Sequence, residues 1–314
     1  MKITINVPLY NESGNVPLVT KEIHDAMKDF DYEIVLVDDG SKDSTWKEIQ
    51  DEISKSDKVI GIRLMGNFGQ TAAWKAGIDH ANGDIICFID GDLQNPPSVI
   101  PEMLKKLQTE DLDVVIGWRK KREELLVRSF TSKIGNFFFR KITGLNIHDT
   151  GCALKMFKID IARKFIMYGF AHRFLPYFAS VRGARVGELI VPDRRRTIGE
   201  SKYKNWFKKP FETMLDMIYL YFILKIRKKS TPIRIYGGFG ALMMVFGTLL
   251  GIVAIFMKYV LHLGITQNPI SLGAMVLFMS GVQFFGIGIV AELVHENSFR
   301  TGYKPYEVRE VVKR

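Results

Sequence analysis

The chain has 314 residues, 47% of them hydrophobic and 25% charged, with a net charge of +10. This composition supports a globular core, in one large domain with appendages or in two domains, and two cysteines, Cys87 and Cys152, exclude a disulfide framework or a zinc-ligand pattern. The basic balance narrows the partners to nucleic acid, an anionic membrane surface or a phosphorylated substrate.

Ile3 to Val7 reads as a first strand and is too short for the apolar core of a signal peptide, so the bulk of the protein is expected in the cytosol. Val16 to Phe30 has helical spacing, with Pro17 tolerated in the first turn. Tyr32 to Val37 is the next strand, and Ser44 is placed to cap a helix starting near Thr45. Val59 to Leu64, Ile85 to Ile89 and Val114 to Gly117 follow as strands, with helices over Thr71 to Ala81 and Pro101 to Gln108 between them. This alternation predicts an α/β fold, a mostly parallel sheet with helices on both faces. No strand is followed by the spaced glycines of a dinucleotide-binding turn, which disfavours a nicotinamide or flavin enzyme.

From Arg119 the character changes. Lys120, Lys121, Arg122, Arg128, Lys133, Arg140 and Lys141 alternate with Leu125, Leu126, Phe130, Ile134, Phe137, Phe138 and Phe139. The pattern fits a basic amphipathic segment on an anionic bilayer and equally an ordinary surface helix packed on the sheet. A second basic and apolar region runs from Tyr203 to Lys229, too short and too polar at its start to be a confident span.

Ile235 to Met257 and Ile270 to Ala291 are uncharged and long enough to cross a bilayer core of about 30 Å. Gly237, Gly238, Gly240, Gly247 and Gly251 on the first, and Gly273, Gly281, Gly286 and Gly288 on the second, allow close helix packing and are compatible with a homo-oligomer. A buried soluble hairpin is the alternative, disfavoured by two such runs. Arg227, Lys228, Lys229 and Arg234 precede the first span, Arg300, Lys304, Arg309, Lys313 and Arg314 follow the second, and the loop between holds only Lys258 and His262. Both termini are therefore expected in the cytoplasm. The expected organisation is a cytosolic domain over 1–229, a membrane hairpin over 230–296 and a cytosolic tail over 297–314. A membrane location explains the basic balance better than nucleic acid does.

The chemistry concentrates where strands end. Asp90-Gly91-Asp92 follows the apolar run Ile85 to Ile89 and precedes Leu93-Gln94-Asn95-Pro96-Pro97. Two carboxylates one residue apart at a strand's carboxyl end lie where open α/β sheets bind ligands. They suit a hard divalent ion that holds a diphosphate. Pro8-Leu9-Tyr10-Asn11-Glu12 and Asp38-Asp39-Gly40-Ser41 end two further strands on the same edge. Their acids can accept hydrogen bonds from a base or ribose, and Gly40 is expected to let a nucleotide approach closely. His24, His80, His148, His172, His262 and His295 are scattered without ligand spacing.

Together these motifs resemble the family-two glycosyltransferases with the GT-A fold, and within them the polyprenyl-phosphate glycosyltransferases, which include dolichol-phosphate mannose synthases and bactoprenol glucosyltransferases. The resemblance covers nearly the whole chain. It takes in Asn67-Phe68-Gly69-Gln70, Asp149-Thr150-Gly151-Cys152, Gly199-Glu200-Ser201-Lys202-Tyr203, the two spans and Gly302-Tyr303-Lys304-Pro305-Tyr306. It implies that Pro8, Tyr10, Glu12, Asp39 and Asp90 line the nucleotide pocket. Asp90 and Asp92, with Gln94 beside them, would hold Mg²⁺ or Mn²⁺. Arg128 and Ser132 would take the acceptor's phosphate with Arg119 assisting, and Arg196, Ser201 and Lys202 would belong to a loop over the donor. Asp149 is either an orienting acid or the cap of a turn at Thr150-Gly151.

The Gln-x-x-Arg-Trp signature of processive relatives is absent, which implies a single sugar transfer. The implied reaction moves one hexose, with UDP-glucose favoured over UDP-N-acetylglucosamine and GDP-mannose, onto undecaprenyl phosphate with inversion. A diacylglycerol or protein acceptor, and an inactive membrane scaffold for a flippase or polymerase, are the rival readings. A flippase partner is compatible with the first.

Overall fold

The computed structural model describes residues 1–120, 147–149, 151–165, 167, 171–194, 236–261, 269–300 and 306–313. The chain divides into two compact units, an α/β unit that includes the carboxy-terminal strand and a unit that contains the two apolar helices.

The α/β unit is built on strands β1 (Ile3–Leu9), β2 (Tyr32–Asp38), β3 (Val59–Leu64), β4 (Ile85–Phe88), β5 (Val114–Trp118), β6 (Lys155–Lys158), β7 (Val186–Ile190) and β8 (Val308–Lys313). They form one sheet in the order β7-β5-β6-β4-β1-β2-β3-β8. The centre, β4-β1-β2-β3, is parallel, as the β-α alternation requires. β6 runs antiparallel between β4 and β5, and β8 antiparallel along β3. The sequence reading stops its sheet at Val114 to Gly117, so β6, β7 and β8 are additions.

Period-two alternation divides each central strand between two cores. Ile3, Ile5, Val7 and Leu9 of β1 meet Val16, Val19, Ile23 and Met27 of α1 (Val16–Met27), and Ile49 and Ile53 of α2 (Thr45–Lys55). Ile100, Met103, Leu104 and Leu107 of α4 (Ile100–Thr109) close the same core. On the opposite face Val35, Val37, Ile62 and Leu64 pack on Ala72, Ala73 and Ala76 of α3 (Gln70–His80) and on Tyr306. Short helices α5 (Ile159–Arg163) and α6 (Leu175–Val181) follow β6.

Two local expectations change. The first helix ends at Met27, three residues before Phe30, whose N–H turns back to the Met27 carbonyl at 2.9 Å. Ser44 makes no capping bond to the α2 backbone; its hydroxyl donates to Glu48 Oε1 at 3.1 Å. The capping task goes to Asp43, whose Oδ1 accepts from the Thr45 N–H at 3.1 Å and the Thr45 hydroxyl at 2.6 Å.

The expected tail thus supplies the sheet's edge strand. Tyr306, just before β8, is 6% exposed and donates its hydroxyl to Asp79 Oδ2 on α3 at 2.7 Å. Burial and the Asp79 carboxylate raise the Tyr306 pKa, so the phenol stays a donor. Tyr306→Phe is expected to cost about 1 kcal/mol of β8 docking and to speed hydrogen exchange across 308–313. Unchanged exchange there would remove Tyr306 as the tether.

The other unit contains α7 (Gly238–Leu261) and α8 (Pro269–Arg300), which pack on each other. Within them Gly238–Val260 and Pro269–Ala291 are apolar enough to cross a bilayer. Large apolar side chains such as Phe246 and Leu272 face outward. Part of the glycine list does the packing: a Cβ on Gly240 would lie 2.6 Å from the Gly281 carbonyl oxygen, and one on Gly247 would lie 2.7 Å from the Phe278 nitrogen. Gly238, Gly251, Gly273 and Gly286 border open space.

Candidate active site

The carboxyl ends of parallel β1, β2 and β4 share one edge of the sheet, and the loops after them are stitched together. Asn11, at φ +50°, donates its N–H to Ser41 Oγ at 2.9 Å and accepts the Lys42 N–H on Oδ1 at 2.9 Å. The Glu12 N–H reaches Thr45 Oγ1 at 2.9 Å, and Glu12 Oε2 accepts from Asn15 Nδ2 at 2.8 Å. Pro8, Tyr10 and Glu12 are half-buried along this edge.

Asp39 is 4% exposed, and its two oxygens accept the backbone N–H groups of Phe68 at 2.8 Å and Gly69 at 2.9 Å. It therefore fixes the turn that opens α3. The first residue of α3, Gln70, donates Nε2 to Asp90 Oδ1 at 2.7 Å. One chain of contacts thus runs from the end of β2, through α3, to the end of β4. Gly40 serves the same turn. A Cβ on Gly40 (φ +72°) would lie 2.5 Å from the Gly66 carbonyl carbon and 2.8 Å from the Asn67 nitrogen, so protein backbone takes that space.

Asp90-Gly91-Asp92 is held tightly. A Cβ on Gly91 would stand 2.3 Å from Leu9 Cδ2, so a larger residue there requires the buried Leu9 side chain or the end of β4 to move. Asp92 is 4% exposed, and its Oδ1 accepts the Gln94 N–H at 3.1 Å in a two-residue turn. The residue between, Leu93, sits at φ +61° and is buried. A left-handed, buried, non-glycine residue costs on the order of 1 kcal/mol, a strain often found at functional sites. Gly91→Ala is expected to leave the protein folded but cut its activity at least tenfold by displacing Asp90 and Asp92, a loss in line with small misplacements of catalytic groups. Activity assays beside circular dichroism check this; full activity would show that Leu9 yields instead.

Arg119, one residue past β5, is paired with Asp149: Nε donates to Oδ2 at 2.8 Å and Nη2 to Oδ1 at 3.3 Å. Asp193 Oδ1 lies 3.8 Å from Nη1. These carboxylates outweigh the desolvation of the half-enclosed guanidinium and raise its pKa. Asp149 also accepts the Gly151 N–H at 3.2 Å, so it braces a turn and an arginine together. The Arg194 N–H donates to the Gln94 carbonyl at 2.8 Å, and the Arg194 guanidinium meets Glu22 of α1.

Of the residues singled out from sequence, Pro8, Tyr10, Glu12, Asp39, Asp90, Asp92 and Gln94 share one edge, and Arg119 and Asp149 join as an ion pair. Arg128, Ser132, Arg196, Ser201 and Lys202 lie outside the described residues. Sequence reasoning assigned no role to Gln70, Asp193 or Lys155. Gln70 stood in a quoted motif. Lys155 carried a weaker signal, a single charge in the otherwise apolar Cys152 to Phe157.

Among the described residues, no group of three or more histidine, cysteine, aspartate or glutamate side chains is placed to hold a metal. The donor set to test is Asp90, Asp92 and Gln94. It fits a Mg²⁺-like ion, which takes one or two carboxylates and completes its shell with water and substrate phosphates. Asp90 and Asp92 are each oriented by a hydrogen bond on Oδ1, and Gln94 is held by its backbone.

A parallel sheet centre whose strand ends carry Asp39 and Asp90-Gly91-Asp92, extended by antiparallel β6, is the GT-A arrangement, and the class it defines is the glycosyltransferases. The chain belongs to glycosyl transferase family 2, whose family model matches residues 4–166. It is 35% identical to a dodecaprenyl-phosphate galacturonate synthase of Rhizobium johnstonii, over 99% of this chain and 93% of that protein. It is 30% identical to an undecaprenyl-phosphate 4-deoxy-4-formamido-L-arabinose transferase of Photorhabdus laumondii, over 93% of this chain and 88% of the relative. Among solved structures, a mannosyltransferase from Pyrobaculum calidifontis in complex with GDP-Man and Mn²⁺ superposes with a TM-score of 0.51 at 16% identity, covering 96% of this chain and 81% of that one. Glucosyl-3-phosphoglycerate synthase from Mycobacterium tuberculosis gives 0.54 at 17%, covering 71% and 79%. At these identities the structural likeness speaks for the fold.

Proposed function

We propose that the protein transfers a single sugar from a nucleotide sugar to a polyprenyl phosphate at the cytosolic face of a membrane, with inversion and with Mg²⁺ or Mn²⁺. The observation that carries this reading is an acidic strand-end edge in one chain with two long apolar helices, matched over 99% of its length by a relative named for a sugar and a polyprenyl phosphate.

An oxygen of the acceptor phosphate attacks the anomeric carbon as the bond from that carbon to the nucleoside diphosphate breaks. One in-line displacement inverts the centre. A phosphate monoester is mostly ionised near neutral pH, with a second pKa of about 6, so the protein need not supply a strong base. Its task is to hold two anions in line. Pro8, Tyr10, Glu12 and Asp39 border the nucleotide. Asp90, Asp92 and Gln94 would hold the divalent ion, which supplies charge stabilisation to the departing diphosphate. Asp149 already compensates Arg119, which leaves Arg128, with Ser132, as the main anchor for the acceptor phosphate. Arg196, Ser201 and Lys202 cover the donor.

We assign the catalytic domain to residues 1–229, completed by residues of 297–314, on the cytosolic side. The pairing of β8 with β3 supports a hairpin that leaves and returns on one side of the membrane. The basic flanks favour the cytosolic side.

The sugar is open among UDP-glucose, UDP-N-acetylglucosamine and GDP-mannose, and the relatives' names add galacturonate and 4-deoxy-4-formamido-L-arabinose. The test is purified protein with these donors and Mg²⁺ or Mn²⁺, offered undecaprenyl phosphate and diacylglycerol side by side, with mass analysis of the lipid. One glycosylated polyprenyl phosphate is expected. No product from any donor would overturn the reading, and product on diacylglycerol alone would move the acceptor.

A further inference from the structure

Behind the acidic edge lies a lysine that the transfer chemistry does not use. Lys155 opens β6, in register with Phe88 on β4, two residues before Asp90. It is 2% exposed, which is rare for an ammonium without a carboxylate partner. Its Nζ donates one long hydrogen bond, 3.4 Å, to the His172 carbonyl and stands 5.3 Å from the centroid of the Trp74 ring. Among the described residues no carboxylate comes within 4.0 Å of it.

The surroundings are built to keep this charge in place. Trp74 is stacked on Phe88 at 4.1 Å, and its ring meets His172 edge-on at 5.7 Å. The Thr71 hydroxyl bonds His172 Nδ1 at 2.6 Å. Burial, and then Lys155 itself, lower the His172 pKa well below its usual value, so the imidazole is neutral and adds no second positive charge. Gln70, Thr71 and Trp74 occupy the first turns of α3, so one helix touches Asp90, His172 and Lys155 together. Burial pushes the Lys155 pKa down to about 8, opposed by Cys152, Asp149 and Asp90, so it is still mostly charged at neutral pH.

An ion this poorly solvated costs the fold stability, a cost that a role at the site would explain. What it acts on is the field at Asp90. A fixed positive charge on the strand face that leads to Asp90 weakens the hold of the acidic edge on a free divalent cation and strengthens its attraction for an anion. We propose that Lys155 is a positioning residue, a buried counter-charge that makes the acidic edge take metal and donor diphosphate together rather than metal alone. The inference rests on the metal-diphosphate reading of Asp90 and Asp92 given above.

The test uses the purified full chain and two probes, MnCl₂ alone and UDP or GDP with EDTA present, both read by calorimetry. Lys155→Met is expected to bind free Mn²⁺ about tenfold tighter and the nucleoside diphosphate about tenfold more weakly, with a raised melting temperature. Lys155→Gln should follow it, and Lys155→Arg should leave both affinities within about threefold of wild type. A structural role would weaken both ligands together and lower the melting temperature. That pattern, or no change in either affinity, overturns the proposal, as does loss of folding in both neutral variants. Wild-type protein that binds no Mn²⁺ would instead overturn the metal reading itself and take this proposal with it.

Discussion

Asp92→Asn is expected to reduce sugar transfer by at least about 100-fold, the scale of losing one preorganised charge-stabilising group, while leaving the fold intact. The substitution is nearly isosteric, and an asparagine Oδ1 can still accept the Gln94 N–H that Asp92 accepts at 3.1 Å. The turn through Leu93 therefore keeps its local support, and what disappears is one negative charge at a position 4% exposed. Two carboxylates one residue apart repel each other by about 2–3 kcal/mol at an effective dielectric near 20, and a bound cation turns that repulsion into attraction. Without Asp92 the remaining carboxylate, Asp90, cannot replace it, because Gln70 already fixes its direction at 2.7 Å. Lipid-product formation and Mn²⁺ titration should fall together, with the melting temperature within a few degrees of wild type. Retention of more than a tenth of the activity would remove Asp92 from the metal site. Unchanged glycan modification in cells would favour the scaffold reading.

The residues of this edge differ in how far they can be read from sequence, and the reason is contact range. The central strands were legible because each is a short apolar run closed by a turn signal, and the two apolar helices because their length and lack of charge need no partner to interpret. Asp90-Gly91-Asp92 was legible as chemistry because its two acids are adjacent in sequence. The use of Gly40 was not, since its freedom serves the Gly66 and Asn67 backbone that only the fold brings alongside. β8 was hidden because it is an edge strand, with one face exposed and three charges in Val308 to Lys313, a pattern that resembles a solvated tail. Lys155 was hidden for the opposite reason. A lysine in a short strand reads as an edge or surface position, and only β4 on one side, β5 on the other and α3 above make it interior. Arg119 was read, through the family resemblance, as assisting at the acceptor's phosphate. Its bidentate partner, Asp149, is 30 residues away, and Asp193 further still.

That ion pair carries the second large effect. Asp149 is 2% exposed and gathers the Arg119 guanidinium, the Arg119 N–H and the Gly151 N–H on one carboxylate. Removing one partner of such a pair leaves a desolvated charge without compensation, a loss of about 3–5 kcal/mol. Asp149→Leu should therefore destabilise the α/β unit toward the lower end of that range, because Asp193 at 3.8 Å retains part of the compensation. The double variant Arg119→Met with Asp149→Leu removes both charges and should recover much of the loss, since an apolar pair of similar volume carries no buried ion. Denaturant unfolding of the four proteins in the cycle yields the coupling energy. A coupling of about 2 kcal/mol or more assigns Asp149 to holding Arg119. A cycle that is additive, with activity lost in Asp149→Leu and not in Arg119→Met, would instead return Asp149 to the reaction as an orienting acid. The orienting acid that sequence allowed and the arginine brace that the fold shows are thus separated by one thermodynamic cycle: an orienting acid acts without its arginine, and a brace does not.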